Sequence, residues 1–240
     1  MRKVIVILLA ALLLLSFTSC NQDKIDELEA QVKQEQAAHA ATIKNFEDFM
    51  DVHDIMKEFY VTKYNNGLLT STEDTFEVTL NSTNASNIVF ADDFIKRFAT
   101  LNNGEKLSQS QDRTTTNASG TIKVTKGTNS RTLEFNNTSF DIRYYYTVNN
   151  NVADEPREIK GLTISGTLST TEEEETSDTA TGVFSFDGTI NGTKYKLSYT
   201  VSVNLKDTTD YEFTEAKVNG NNVELRLLNK TDLQPILMGR

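Results

Sequence analysis

The chain has 240 residues and is acidic, with 24 Lys and Arg against 34 Asp and Glu for a net charge of −10, two histidines, one cysteine and no tryptophan. That length allows one substantial domain with an extension, and a core large enough to stand without disulfides. The acidity argues against nucleic acid and anionic lipid headgroups as partners, since both need a basic surface, and a lone cysteine leaves no disulfide within the chain.

Residues 1–20 fall into three zones. Arg2 and Lys3 make a short basic start, residues 4–15 are an unbroken run of Val, Ile, Leu and Ala, and Ser16, Phe17, Thr18 and Ser19 lead into Cys20. The apolar run is about a dozen residues against the roughly 20 a spanning helix needs, so it reads as a signal-peptide core. Phe17-Thr18-Ser19-Cys20 resembles the lipobox of bacterial lipoprotein precursors, with Phe17 where that family prefers Leu. The resemblance covers this segment alone. It implies cleavage between Ser19 and Cys20, a diacylglycerol thioether on Cys20 and an acylated new amino terminus, so that the partner of the mature chain is a membrane. Several acyl chains at about 0.8 kcal/mol per buried methylene make a firm anchor. Asn21 and Gln22 follow with no aspartate beside the cysteine, which by the same resemblance favours the outer membrane, on either its periplasmic or its surface side. Loss of Arg2 and Lys3 takes the net charge from −10 to −12.

From residue 24 to about 60 there is no Gly or Pro, and Glu, Gln, Lys and Ala are abundant, which predicts a helix. With Ile25 at heptad position a, the seam holds Leu28, Val32, Phe46, Phe49, Met56 and Tyr60, but also Glu35, His39, Thr42 and His53. So broken a seam is poor support for a free-standing coiled coil, although an oligomer through this helix stays open. Aromatic residues become frequent only after Ile43, so residues 20–42 read as a lipid anchor and helical tether, and residues 43–240 as helix plus β domain, with Phe46, Phe49, Met56 and Phe59 docking the helix.

Asn65-Asn66-Gly67 ends the helix, and after Glu73 apolar residues alternate, interrupted by a predicted short helix over 91–101. The clearest pair of strands is 182–190 with 193–206, joined by Asn191-Gly192, a dipeptide that supplies the two positive φ angles of a tight hairpin turn. Setting Ile190 opposite Thr193 pairs Gly188 with Tyr195, Phe186 with Leu197, Phe184 with Tyr199 and Gly182 with Val201, placing the apolar residues on one face. The preceding strand, Leu162-Ile164-Gly166-Leu168, is expected to set Gly166 beside Phe184 after a loop over 171–179. Further strand segments are Phe76-Val78-Leu80, Ile122-Val124, Leu133-Phe135, Phe140 to Val148, Tyr211-Phe213 and Val223-Leu225-Leu227. The fold class is mainly β, an N-terminal helix followed by an antiparallel meander of about 8–10 strands forming a barrel, half-barrel or sandwich. The carboxyl end, Met238-Gly239-Arg240, lacks the terminal aromatic of a membrane-spanning barrel.

Both histidines lie on the predicted helix, so the β domain offers no base for Ser-His-Asp or Cys-His catalysis and no usual ligand set for zinc. His53 stands between Asp51 and Asp54, but residues two apart on a helix do not share a face, and the reading is a docking histidine. Glu172-Glu173-Glu174-Glu175 with Asp178 lacks the glycine-pinned pattern of a calcium loop and reads as a solvated hairpin tip. Glycosidase carboxylate pairs need no histidine, yet here the acids are scattered and no Trp stacks a sugar. Alternation buries Tyr144 and Tyr146 and turns Tyr145 outward beside Arg143, a pair suited to a binding surface. Asp178-Thr179-Ala180 and Asp207-Thr208-Thr209 resemble an O-glycosylation sequon of Bacteroidota. No catalytic, metal or cofactor site is expected, and Cys20 with Ser19 carries the one assigned chemistry. The leading function is therefore a non-enzymatic cell-envelope lipoprotein whose β domain binds a protein partner, a glycan or a host molecule. The alternative is a carrier of lipid or another hydrophobic ligand in a curved-sheet cavity.

Overall fold

The computed structural model describes residues 22–66, 68–98, 109–148, 151–152, 155–174 and 178–229. In chain order these form α1 (Gln22–Asn66), β1 (Thr75–Thr79), α2 (Ser82–Ala85), α3 (Asp92–Phe98), β2 (Gln109–Lys126), β3 (Ser130–Val148), β4 (Asn151–Val152), β5 (Arg157–Glu174), β6 (Thr179–Ile190), β7 (Thr193–Asn204), β8 (Asp207–Val218), β9 (Asn221–Asn222) and α4 (Leu225–Leu228). The strands make one antiparallel sheet in the order β1-β2-β3-β5-β6-β7-β8-β9, with β4 beside the end of β3. The sheet does not close. A single open sheet is neither the closed barrel nor the sandwich, and it fits a curved sheet or half-barrel.

Helix α1 carries the predicted helix and ends, as expected, at Asn66. It belongs to two compact units, Met1–Lys44 and Asn45–Arg240. In the first, the described side chains are exposed apart from half-buried Leu28, Val32 and Thr42. In the second, Phe49, Val52, His53, Ile55, Met56 and Phe59 are fully buried and Phe46 packs at the margin. The predicted docking residues are confirmed. The heptad seam is corrected, because Val52 and Ile55, outside it, are buried: a helix lying against a broad sheet buries a wider stripe than a coiled-coil seam does. The aromatic contacts show what it meets. Phe59 lies 4.8 Å from the Phe135 ring and 5.7 Å from Phe140, and Phe49 lies 5.6 Å from Tyr199 and 6.3 Å from Phe213. The concave apolar face of the sheet is thus filled by the chain's own helix, with Leu80, Ile88, Phe90 and Phe94 in the same core.

The β6–β7 hairpin has the predicted register throughout, from Ile190↔Thr193 to Gly182↔Val201. Asn191 (φ 48°) and Gly192 (φ 75°) form its turn. Asn191 also clamps the neighbouring strand: its N–H donates to Thr163 O at 2.9 Å, and its Oδ1 accepts from Thr163 N–H at 3.0 Å. A Cβ on Gly192 would meet nothing within 4 Å, so the whole cost of Gly192→Val is backbone strain at positive φ. We expect that substitution to destabilise by about 1–3 kcal/mol, read as a lower melting midpoint. No change would mean that another turn is used.

The register of β5 is corrected. Thr170, not Gly166, faces Phe184, and Gly166 faces Gly188, with Leu168 on Phe186 and Ile164 on Ile190. The four-residue shift is even, so the faces are preserved. Its cause is backbone approach: a Cβ on Gly188 would sit 2.1 Å from Ser165 O, and one on Gly166 would sit 2.4 Å from Asp187 O. Only two facing glycines let the strands coil this tightly. Pairing then continues to Glu174↔Ala180, so the predicted loop over 171–179 is shorter than expected. The predicted helix over 91–101 is found over Asp92–Phe98, its last positions lying outside the described residues. Val223-Leu225-Leu227 is not a strand. A turn of helix, α4, brings Leu228 into the core beside buried Val223, where alternation would have turned Leu228 to water.

Both sheet edges are covered along part of their length. The five-residue β1 borders only the second half of β2. Along the first half, Thr115 Oγ1 donates to Ile88 O, Arg113 Nε donates to Phe90 O at 2.9 Å, and the Ser110 N–H and hydroxyl donate to Asp92 Oδ1. At the opposite edge the Asn229 carboxamide accepts from Phe213 N–H at 2.9 Å and donates to Phe213 O at 3.4 Å, as a further strand would. Burial pushes the Asp92 carboxyl up, but hydrogen bonds from Lys96 and Ser110 outweigh it and hold its pKa below the ordinary value. A carboxyl lowered in the folded state contributes stability above its unfolded pKa, and that contribution is lost as pH falls through the folded value. Asp92→Asn should therefore cost about 1 kcal/mol at pH 7, a value reduced for solvent screening. The gap should narrow below about pH 4, as urea melts at both pH values would record.

Candidate functional site

The pairing of β7 with β8 is irregular near its turn. Val203 faces Tyr211 while Asn204 faces Asp207, so residues 208–210 are left out of the ladder. A bulge of this kind bends the strand and re-aims its side chains. Here it opens a cleft of about 400 Å³ lined by Ser202, Asn204 and Lys206 on one side, Asp210, Tyr211 and Glu212 on the other, and Asp178 and Thr179 at the start of β6. Ser202 and Asn204 alternate with buried Val201 and Val203, which puts the cleft on the outer face of the sheet. Its volume is in the range of small-ligand sites.

The cleft is tied together by polar contacts. Lys206 Nζ lies 2.8 Å from Asp178 Oδ1, and Leu205 N–H donates to Asp178 O at 2.8 Å, joining the β7–β8 turn to β6. Asn204 Oδ1 accepts from Lys206 N–H at 3.0 Å while its Nδ2 donates to Asp210 Oδ2 at 3.1 Å, which fixes both the amide and the carboxylate. Tyr211 packs its ring edge-on against Phe213 at 6.0 Å, anchored at the margin of the core.

Next to the cleft the outer face is uncharged across several strands. Thr125, Thr132, Ser169, Ser185 and Ser198 face one another in succession from β2 to β7. Beside them run Ser130, Thr171, Val183 and Thr200. Val183 is 46% exposed. Thr181 faces Ser202 in a row bounded by exposed Glu173 and Glu212, and this row lies between the strip and the cleft. On the other side of the strip, the next row carries the ion pairs Lys123–Glu134 (3.3 Å) and Lys196–Asp187 (3.6 Å).

The residues singled out in the sequence are placed elsewhere. Ser19 and Cys20 lie outside the described residues, and no described helix is long and apolar enough to cross a membrane. His39 is exposed, and His53 is a buried docking residue stacked on Phe49 at 6.0 Å and tilted against Tyr199 at 5.8 Å, with Asp54 3.7 Å away. Glu172 and Glu173 pair in the β5–β6 ladder, so the expected acidic tip is reduced to residues 175–178, of which 175–177 are outside the described residues. Tyr144 is buried as expected, whereas Tyr146 is half-buried under the Arg157 guanidinium, 5.5 Å from its ring, and Tyr145 is half-buried beside exposed Arg143. Of the sequon-like triplets, Thr179 opens β6 at the cleft and is half-buried.

Sequence reasoning missed the cleft. Its signal was the cluster Asn204 to Asp210, in which two β-breaking Asp residues bracket Thr208 and Thr209 and announce an irregular hairpin end. No protein-family model matches the chain, and neither curated proteins nor solved structures yield a match.

Proposed function

We propose that this chain is an exported lipoprotein, anchored to a membrane through lipid on Cys20, whose β domain is a non-enzymatic binding module with its site in the β6–β8 cleft. The observation that carries the reading is how the two faces of the sheet differ. The inner face is occupied by Phe49, Val52, Ile55, Met56 and Phe59, whereas the outer face has a polar, concave site built on rigid strands. A carrier of lipid would need that inner face, and freeing it would expose five buried apolar side chains at about 1.5–3 kcal/mol each. The packing therefore supports the binding module over the carrier. Both halves of the proposal have a direct measurement. Labelling with a fatty-acid analogue should mark the chain, and Cys20→Ala should abolish the label and leave the membrane fraction; membrane partitioning without label would remove the anchor. Native mass spectrometry of that soluble variant should give the mass of the bare protein, and a copurifying lipid would restore the carrier.

A further inference from the structure

Resting on the reading of the cleft as a binding site, we propose that its ligand is a neutral glycan, held by the cleft and running from it along the uncharged hydroxyl strip. Charge sets the first limit. Asp178, Asp210 and Glu212 border the cleft, and its lysine, Lys206, is already paired with Asp178. Uronates, sulfated sugars and phosphates would be repelled. A neutral sugar instead offers O–H donors, which carboxylates accept readily, and oxygen acceptors, which hydroxyl and amide groups meet. Asn204 and Asp210 are fixed against each other before any ligand arrives, so little side-chain freedom is lost on binding.

The strip sets the second limit, because it extends the recognition in one direction. The run from Thr125 to Ser198 crosses five strands, spaced about 4.8 Å apart, with hydroxyls that both donate and accept. Thr132 Oγ1 and Ser169 Oγ lie 3.3 Å apart, so neighbouring hydroxyls already make an ordered array. From β2 to β7 these rows carry no charge, and at β8 they end on the ion pair of Lys217 with Glu215, so the uncharged part is suited to a polymer that is itself neutral and rich in hydroxyls.

The test is affinity electrophoresis of the whole chain in gels containing dextran, laminarin, yeast mannan or, as the anionic comparison, alginate. Retardation by at least one neutral polysaccharide is expected, weakened at least tenfold in Asp210→Ala. Ser185→Arg should weaken binding of the polymer while leaving a short oligosaccharide of the same sugar unaffected. Retardation that Asp210→Ala and Glu212→Ala leave unchanged would overturn the assignment of the site, and retardation by alginate alone would overturn neutrality. If no polysaccharide is retained, the glycan is wrong. An oligolysine peptide then separates the two readings: binding lost in Asp210→Ala keeps the cleft as a binding site for another ligand, and no binding removes both.

Discussion

Phe49→Ala should lower the unfolding free energy by about 3–5 kcal/mol, the range for deleting a fully buried aromatic ring and leaving its cavity. Phe49 has no exposed surface and sits among the rings of His53, Tyr199 and Phe213, which belong to rigid elements and cannot collapse into the space. Removal of residues 21–41, by contrast, should change stability by less than about 0.5 kcal/mol, because their described side chains are almost all exposed. Urea melts of the two variants, both without lipid, decide the matter. A silent Phe49→Ala with a strongly destabilising deletion, worsening on dilution, would mean that the helix is an oligomer seam and that docking inside the sheet is wrong.

Gly188→Ala should have an effect of similar size from a single added methyl. Its Cβ would stand 2.1 Å from Ser165 O, 2.7 Å from Phe186 Cζ and 2.9 Å from Gly166 Cα. The Phe186 ring can move, but the two backbone atoms belong to the adjacent strand and cannot move without opening the ladder. Overpacking of this kind costs about 1–3 kcal/mol where neighbours can shift, and more where backbone must. A loss of at least 3 kcal/mol is therefore expected in a chemical melt. Near-wild-type stability would show that β5 and β6 can separate at this point, and the register centred on Gly166 and Gly188 would fall with it.

How much of this was legible in the sequence depended on how local the determining contact was. The β6–β7 register was readable because one tight turn and two alternating strands specify it together, and Asn191-Gly192 has few geometric options. The β5–β6 register was not, since its connection is longer and the deciding contact is a meeting of two backbones. Gly166 and Gly188 stood in plain view, yet alternation alone does not say that glycine prefers glycine across a ladder. Docking by Phe49, Met56 and Phe59 was evident from the composition of the helix, but Val52 and Ile55 were missed because a heptad describes a partner helix, not a sheet. The cleft was hidden for a different reason. It arises where residues 208–210 leave the ladder, and periodicity carries no information once pairing stops.

The covered edges have a consequence for life at high concentration. An open sheet offers backbone donors and acceptors at both ends, the usual template for adding a strand from another molecule. Here β1 is only five residues long and carries Glu77 outward at its centre, while contacts to Ile88, Phe90 and Asp92 occupy the rest of that side. Asn229 imitates the missing strand at Phe213 on the other. Short β1 with its outward Glu77, and the Asn229 clamp at Phe213, thus blunt the two margins against growth of a continuous intermolecular sheet.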